Sequence, residues 1–121
     1  MKKETVPKLM RKATFLFNRW IRKRDANLPC ISCGRYTTLQ AGHYYSAGHH
    51  PGLRYDPDNV HGQCVGCNLY LSGNLINYRN GLMERIGEER LVALDQRCAW
   101  YKKNRFKNNR YYLQEIIEKY K

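Results

Sequence analysis

Two Cys-x2-Cys pairs constrain this chain more than any other feature of its 121 residues. The first pair is Cys30 with Cys33, the second is Cys64 with Cys67, and 30 residues separate them. Four thiolates at this spacing can meet one zinc ion tetrahedrally, with each sulfur about 2.3 Å from the metal. Such a site is closed to substrate, so we expect structural zinc that ties together the ends of residues 30–68. An iron–sulfur cluster also uses four thiolates, but nothing else in the sequence indicates electron transfer.

The charge of the chain favours a polyanionic partner. Lys and Arg number 22 against 10 Asp and Glu, which gives a net charge of +12. This balance favours nucleic acid first and an anionic membrane surface second. No apolar run approaches the roughly 18 residues of a membrane span, and no secretory signal is evident. Paired cysteines fit a reducing compartment, and the fifth, Cys98, is expected to be a buried or incidental thiol.

The pattern of apolar residues predicts one α+β domain over residues 1–121. Residues 7–24 should form a basic helix whose charged face either lies along a phosphate backbone or is simply solvated. Residues 28–87 should form a zinc-stapled core, and residues 88–121 a helical C-terminal part. We therefore expect a small β-containing core flanked by N-terminal and C-terminal helices.

Local signals within the core predict its elements more finely. Short strands are expected at residues 42–45 and 53–55, followed by a turn at residues 56–59, which read Asp-Pro-Asp-Asn. A helix should begin after Asn74, as its N-cap, and Gly87 should end it before a further helix starts.

A second group of polar residues points to chemistry. His43 on a predicted strand, Asn59 in a turn and Asn68 directly after the last cysteine together resemble the pattern of HNH (ββα-metal) endonucleases. The resemblance implies that His43 is the general base, that Asn59 positions this histidine or its strand, and that Asn68 binds Mg²⁺ or Mn²⁺. A neutral imidazole can accept a proton from water, and a hard cation can offset charge on a phosphate.

The sequence departs from that pattern at Gly42, where HNH enzymes usually carry a metal-binding acid or histidine. The missing ligand must come from elsewhere, or His43 binds the metal and another group is the base. His61 is the favoured substitute, as a catalytic residue or metal ligand, and Asp56 or Asp58 are alternatives. His49 and His50, in a Gly/Pro-flanked loop, are expected to be solvent-exposed or to face phosphate.

Several motifs in a fixed order carry a closer resemblance. LPCISCG, AGHY, LRYDPDNVHGQCVGCN, LSGN and YRNGLMERIG are similar to the NinG (Rap) family of lambdoid-phage recombination proteins, over about residues 19–87. The family implies a structure-selective endonuclease of branched DNA, including Holliday junctions and D-loops, acting in the cytoplasm of a bacterial host beside other phage recombination proteins. Members carry a basic, cysteine-containing segment ahead of this region, so a shorter relative or a core fragment is expected.

A more distant parallel is phage endonuclease VII, which pairs a four-cysteine zinc site with an asparagine after the last cysteine. It has carboxylates where this chain has Gly42 and Leu71, so its metal ligands cannot be carried over. A two-fold junction favours a homodimer, through the apolar helices after Asn74. The alternative is that those apolar residues fill a monomer core.

Function remains open between two classes at this point, with RNA binding by a zinc ribbon as a weaker third. One is the metal-dependent endonuclease, and the other is a non-catalytic zinc-containing DNA-binding protein that assists recombination. Aromatic side chains could stack on unpaired bases at a branch or could pack internally; these are Tyr44, Tyr45, Trp100, Tyr111 and Tyr112.

Overall fold

The computed structural model describes residues 3–121 and confirms a mixed helical fold with a small sheet. Its elements in chain order are α1 (Val6–Arg24), β1 (Gln40–His43), a 3₁₀ turn (Pro51–Leu53), β2 (Val60–Gln63), a π-helical turn (Gly66–Tyr70), α2 (Leu75–Lys103) and α3 (Arg110–Tyr120). Within residues 3–121, no helix combines the length and apolar character needed to cross a bilayer.

Helix α1 confirms the predicted basic helix. The Thr5 Oγ1 atom accepts a hydrogen bond from the Lys8 backbone N–H at 3.3 Å, and Pro7 occupies the first turn, where its missing N–H costs nothing. One face is buried through residues spaced four apart: Leu9, Ala13, Phe17 and Ile21. This face packs on α3, and Val60 of the sheet belongs to the same apolar cluster.

The sheet has two antiparallel strands, and its register decides which histidine faces which side. Gly42 lies opposite His61, and His43 lies opposite Val60. Side chains alternate along a strand, so His43 and Val60 share one face while His61 points to the other. Val60 packs in the apolar cluster of α1 and α3, whereas the His61 ring lies 6.2 Å from the ring of Tyr78 in α2.

The predicted second strand at residues 53–55 is wrong. This segment folds into successive turns, with backbone hydrogen bonds from Leu53 to His50 and from Asn59 to Asp56, both 2.9 Å long. The strand comes after the predicted turn, at Val60–Gln63, where it pairs with β1. The first predicted strand, residues 42–45, is displaced by two residues to Gln40–His43.

Helix α2 consists of two helical segments, as predicted. Gly87 separates them with φ 83° and ψ 164°, a backbone conformation that interrupts the helix. The helix starts at Leu75 with Asn74 at its N-cap, as predicted, although Asn74 has φ 43° and its side chain makes no capping hydrogen bond. The apolar residues of α2 include four that fill this chain's own core: Tyr78, Leu82, Leu91 and Leu94.

Candidate metal centre and active site

The four paired cysteines converge into one cluster. All four sulfurs lie within 4.8 Å of one another, and the Sγ atoms of Cys33 and Cys64 are 3.7 Å apart. A tetrahedral zinc with bonds of 2.3 Å places its sulfurs about 3.8 Å apart, so the donor set fits zinc. In residues 3–121 this is the one group of three or more His, Cys, Asp or Glu residues whose ligand atoms converge.

Hydrogen-bond donors surround these sulfurs. The backbone N–H of Cys64 donates to Cys30 Sγ at 3.3 Å, that of Cys67 donates to Cys64 Sγ at 3.4 Å, and the Asn74 side-chain amide donates to Cys67 Sγ at 3.5 Å. Burial raises the pKa of Cys30, but backbone hydrogen bonds outweigh it and lower the pKa to about 7. Such donors favour thiolates, the form that binds metal.

The His43 ring is held by a main-chain carbonyl. Its Nε2 atom lies 2.9 Å from the Arg54 backbone oxygen, and because a carbonyl only accepts, Nε2 carries the proton. Burial lowers the pKa of His43 below its ordinary value. The ring is therefore neutral at pH 7, and its Nδ1 lone pair has no protein partner in the described chain.

His43 and Asn68 line the same cavity, of about 590 Å³. Thr14 and Asn18 of α1 also line this cavity, as does Arg54. The Arg54 Nε atom is buried and has no hydrogen-bond partner in the described chain. Residues 3–121 contribute no carboxylate to this lining. Mg²⁺ is usually bound by one or two carboxylates together with substrate phosphates. The cavity is therefore a poor match to Mg²⁺ held by protein ligands alone.

Asn59 ties together the loop that follows His43. Its buried side chain accepts a hydrogen bond from the Tyr45 backbone N–H at 2.8 Å and donates to the carbonyls of Tyr45 and Leu53, both at 3.0 Å. From α2, the Tyr78 hydroxyl donates to the Gly42 carbonyl at 2.6 Å. The residues on both sides of His43 are thus fixed by buried polar contacts.

His61 lies apart from the His43 cavity. It is only 2% exposed, faces α2, and its Nδ1 atom is buried without a hydrogen-bond partner in the described chain. Burial and the nearby guanidinium of Arg24 lower the pKa of His61 to about 3. The expectation that His61 completes a metal shell beside His43 is corrected by this placement, because the strand register points the two rings to opposite faces.

A side chain at position 42 would require Gln63 to move. A Cβ atom there would lie 2.1 Å from Gln63 Oε1. The Gln63 amide is itself fixed, since its Nε2 atom donates to the Gly73 carbonyl at 2.6 Å and to Ser32 Oγ at 2.9 Å. The Gln63 side chain therefore occupies the space next to Gly42 that the metal-binding residue of the HNH pattern would need.

The two alternative carboxylates are engaged elsewhere. Arg97 Nε contacts Asp56 Oδ2 at 2.8 Å, and Arg90 forms a close ion pair with Asp58. These arginines lie in the second segment of α2 and fasten it to the turn before β2. Neither aspartate lines the His43 cavity.

Other predicted residues are placed as follows. His49 is exposed and His50 half-buried, and the prediction of a buried thiol at Cys98 is confirmed at 8% exposure. Of the aromatic candidates for stacking, Trp100 and Tyr111 are exposed; the half-buried ones, which pack against neighbouring rings, are Tyr44, Tyr45 and Tyr112.

Two residues of the site and one buried acid beside His61 were not anticipated. Gln40 Oε1 accepts a hydrogen bond from Asn68 Nδ2 at 2.8 Å, which leaves the Asn68 oxygen available. Arg54 contributes both the carbonyl that orients His43 and a guanidinium to the cavity. Asp25 is buried and accepts from the Gly62 N–H at 2.8 Å while paired with Arg24. The sequence offered one signal for the Arg24–Asp25 pair, namely a single acidic residue directly after a run of basic residues.

Comparison with known proteins assigns the chain to a family. The family model for "Bacteriophage Lambda NinG protein" matches residues 2–121. Protein ninG of Salmonella phage P22 is 48% identical over 91 residues, which cover 74% of this chain and 43% of that protein. Protein ninG of Escherichia phage 933W is 50% identical over 80 residues, 64% of this chain and 40% of that protein. Protein ninG of Escherichia phage lambda is 49% identical over 80 residues, which cover 64% of this chain and 39% of that protein.

The chain therefore spans less than half the length of these curated relatives. No solved structure matches it. Because the family model covers nearly all of the sequence, the chain belongs to the NinG family of bacteriophage proteins.

Proposed function

We propose that this chain is a metal-dependent endonuclease that hydrolyses phosphodiesters in branched DNA, such as Holliday junctions and D-loops. The observation that carries the proposal is the oriented, neutral imidazole of His43 beside Asn68 in one cavity. The resemblance to HNH enzymes supplies the reaction class.

His43 would act as the general base. With Nε2–H bound to the Arg54 carbonyl, Nδ1 is the atom that accepts a proton from an attacking water. The depressed pKa keeps the ring neutral at pH 7, so a large fraction of the protein is ready to accept that proton. Asn59 keeps the following loop in place, which limits rotation of the strand end that carries the base.

Arg54 and Asn68 would bind the phosphate side of the reaction. The Arg54 guanidinium lines a cavity that receives no carboxylate from residues 3–121, so its charge is available to a phosphate oxygen. The Asn68 oxygen is one hard ligand for a divalent cation, and DNA phosphates would supply the charged ligands that the cavity lacks. Such a cation would offset negative charge on the phosphate and the leaving oxygen.

The surface beside the cavity suits a phosphate backbone. Arg11 and Arg22 are exposed and lie at helical spacing from Thr14 and Asn18, the two α1 residues in the cavity wall. DNA running along α1 would contact these cations while its backbone passes the cavity. Contacts of this kind depend on phosphate geometry and suit recognition of branched DNA by shape.

Nicking of a labelled four-way junction tests the proposal. With Mg²⁺ or Mn²⁺ present, the parent protein should nick it, and His43→Ala should lower the rate about 10²- to 10⁴-fold, the usual contribution of a positioned base. Asn68→Ala and Arg54→Gln should also lose activity, whereas Asn80→Ala, an exposed asparagine of α2 outside the cavity, should retain it. Junction binding by every variant shows that the protein is folded. Binding without metal-dependent nicking by the parent would refute catalysis.

The second candidate is a non-catalytic zinc-containing DNA-binding protein that assists recombination. The specific observation in its favour is the absence of a carboxylate from the described lining of the cavity, together with the filled space beneath Gly42. This candidate predicts tight junction binding that His43→Ala leaves unchanged, with no nicking under any divalent cation.

A further inference from the structure

A second cavity, of about 330 Å³, adjoins the first. It lies between the 3₁₀ turn Pro51–Leu53 and the end of α2, and its volume falls at the lower end of the roughly 300–1,000 Å³ typical of small-ligand pockets. His50 lines both cavities, so a ligand in the second would neighbour a phosphodiester held beside His43 in the first.

Aromatic rings form one wall of this second cavity. The rings of Tyr101 and Phe106 lie 5.0 Å apart at 67°, and both are half-buried. The close approach of Tyr101 depends on Gly52, because a Cβ atom at that position would lie 2.3 Å from the Tyr101 ring. Both rings line the cavity and are not fully covered by protein. They offer the kind of surface on which a base can stack.

Positive charge surrounds the aromatic wall. Lys102, Arg105 and Lys107 line the cavity and are exposed, and the described residues contribute no acid to it. Arg105 has φ 50°, the left-handed conformation that non-glycine residues adopt only at a cost. An aromatic wall with a cationic rim complements a planar group attached to a phosphate.

We propose that this second cavity receives one unpaired nucleotide of branched DNA, with its base against Phe106 and Tyr101 and its phosphate among Lys102, Arg105 and Lys107. The inference rests on the proposed function and specifies how a branch would be distinguished from continuous duplex. A fully paired strand cannot supply a nucleotide without losing stacking and pairing. The adjacent position of the two cavities would bring the phosphodiester next to the unpaired nucleotide to His43.

Binding measured without added Mg²⁺ or Mn²⁺ tests the inference independently of cleavage. The probes are a flap DNA with 2-aminopurine in its unpaired strand and a continuous duplex of the same length. Phe106→Ala should weaken flap binding about 5- to 150-fold, the loss expected from one stacked base, and should change duplex binding by less than about twofold. Phe106→Tyr keeps a ring and should restore both the affinity and the quenching of 2-aminopurine.

Two further variants keep the test decisive. Arg105→Gly removes charge at a backbone conformation that glycine adopts freely, so it should fold and still weaken flap binding more than duplex binding. Tyr36→Ala removes an exposed aromatic ring outside the cavity and should bind both probes like the parent.

Equal losses for flap and duplex in Phe106→Ala and in Arg105→Gly would overturn the inference. So would tight binding of free thymidine monophosphate with no preference for flap over duplex, since that result identifies a mononucleotide site. A protein that prefers the flap but never nicks it would contradict the proposed nuclease and leave this nucleotide site supported.

Discussion

His61 occupies a buried polar cluster between the sheet and α2. Asp25 is 1% exposed and pairs with Arg24, whose guanidinium also donates to the carbonyls of Pro57 and Val60 at 2.9 and 2.8 Å. Arg85 approaches the same carboxylate at 4.0 Å. One buried acid thus faces two arginines, and a protonated His61 would add a further positive charge without a partner for its Nδ1.

The position of His61 predicts a loss of stability in acid. Its pKa is about 3 in the folded protein and about 6.5 when unfolded, so the unfolded chain takes up the proton first. Above about pH 6.5, protonation of His61 does not lower the free energy of unfolding. As the pH drops from there toward 3, it lowers this free energy by up to about 1.4 kcal/mol per pH unit. Urea unfolding at about pH 7, 6 and 5, with excess zinc, should show a shallower decline for His61→Gln than for the parent.

His49→Gln is the matched control, because His49 is an exposed histidine of the neighbouring loop. It should unfold with the same pH dependence as the parent. An unchanged slope in His61→Gln would show that this histidine is not held neutral by its surroundings.

The identity of the residues predicted part of the site, whereas the rest depends on the fold. His43 and Asn68 follow from a motif, and both line the same cavity. The carbonyl of Arg54 could not be predicted, since every residue has one and only the fold selects the acceptor. The placement of His61 depends on strand register, and a shift of one residue would exchange the two faces.

At the scale of elements, α2 depends on the break at Gly87. Its φ of 83° with ψ of 164° lies in a region that is essentially restricted to glycine. The break redirects the second segment, whose Arg90 and Arg97 reach Asp58 and Asp56 beside the sheet. The two segments together bury the second apolar cluster.

Gly87→Ala should therefore destabilise the protein by about 1–3 kcal/mol. A Cβ atom at Gly87 would meet nothing within 4 Å, so the cost is conformational and not steric. Gly48→Ala is the matched control, since it also has open space around it but lies outside the left-handed region, and it should leave stability nearly unchanged. Urea unfolding of both variants checks this, and equal stabilities would contradict it.

Helices were easier to predict than strands in this chain for a physical reason. The buried stripe of α1 repeats over four turns, and α3 is similarly marked by Leu113, Ile116, Ile117 and Tyr120. Each strand has only four residues, and β2 is buried throughout, so neither shows the alternation that identifies a strand. Their pairing joins residues that lie 17 to 23 positions apart in sequence, which a local pattern does not reveal.

At the scale of the whole molecule, the cysteine cluster joins parts that share few apolar contacts. Cys30 and Cys33 follow α1, whereas Cys64 and Cys67 lie just after β2 and in the turn that leads to α2. Residues 3–121 contain two larger apolar clusters, one around α1 and α3 and one around α2, and the cysteines belong to a third, smaller one. Zinc would hold the loop of Asn68 and the start of α2 against the sheet.

Loss of one ligand should therefore unfold more than the cysteine loops. Structural zinc contributes an apparent 10–16 kcal/mol in small zinc domains, about as much as the 5–15 kcal/mol total stability of a typical domain. Cys33 is the exposed member of the cluster, so Cys33→Ser changes the metal site with little effect on packing. We expect it to lose bound zinc, to melt well below the parent and to lose affinity for branched DNA.

Cys98→Ser is the control, because this buried thiol lies outside the cluster. It should keep one zinc per chain, measured by elemental mass spectrometry, and should melt close to the parent. Chelation of the parent should reproduce the melting behaviour of Cys33→Ser, and added zinc should reverse it. Unchanged melting after complete removal of the metal would show that apolar packing alone holds the site. Visible absorbance together with bound iron would show that the four cysteines bind an iron–sulfur cluster and not zinc.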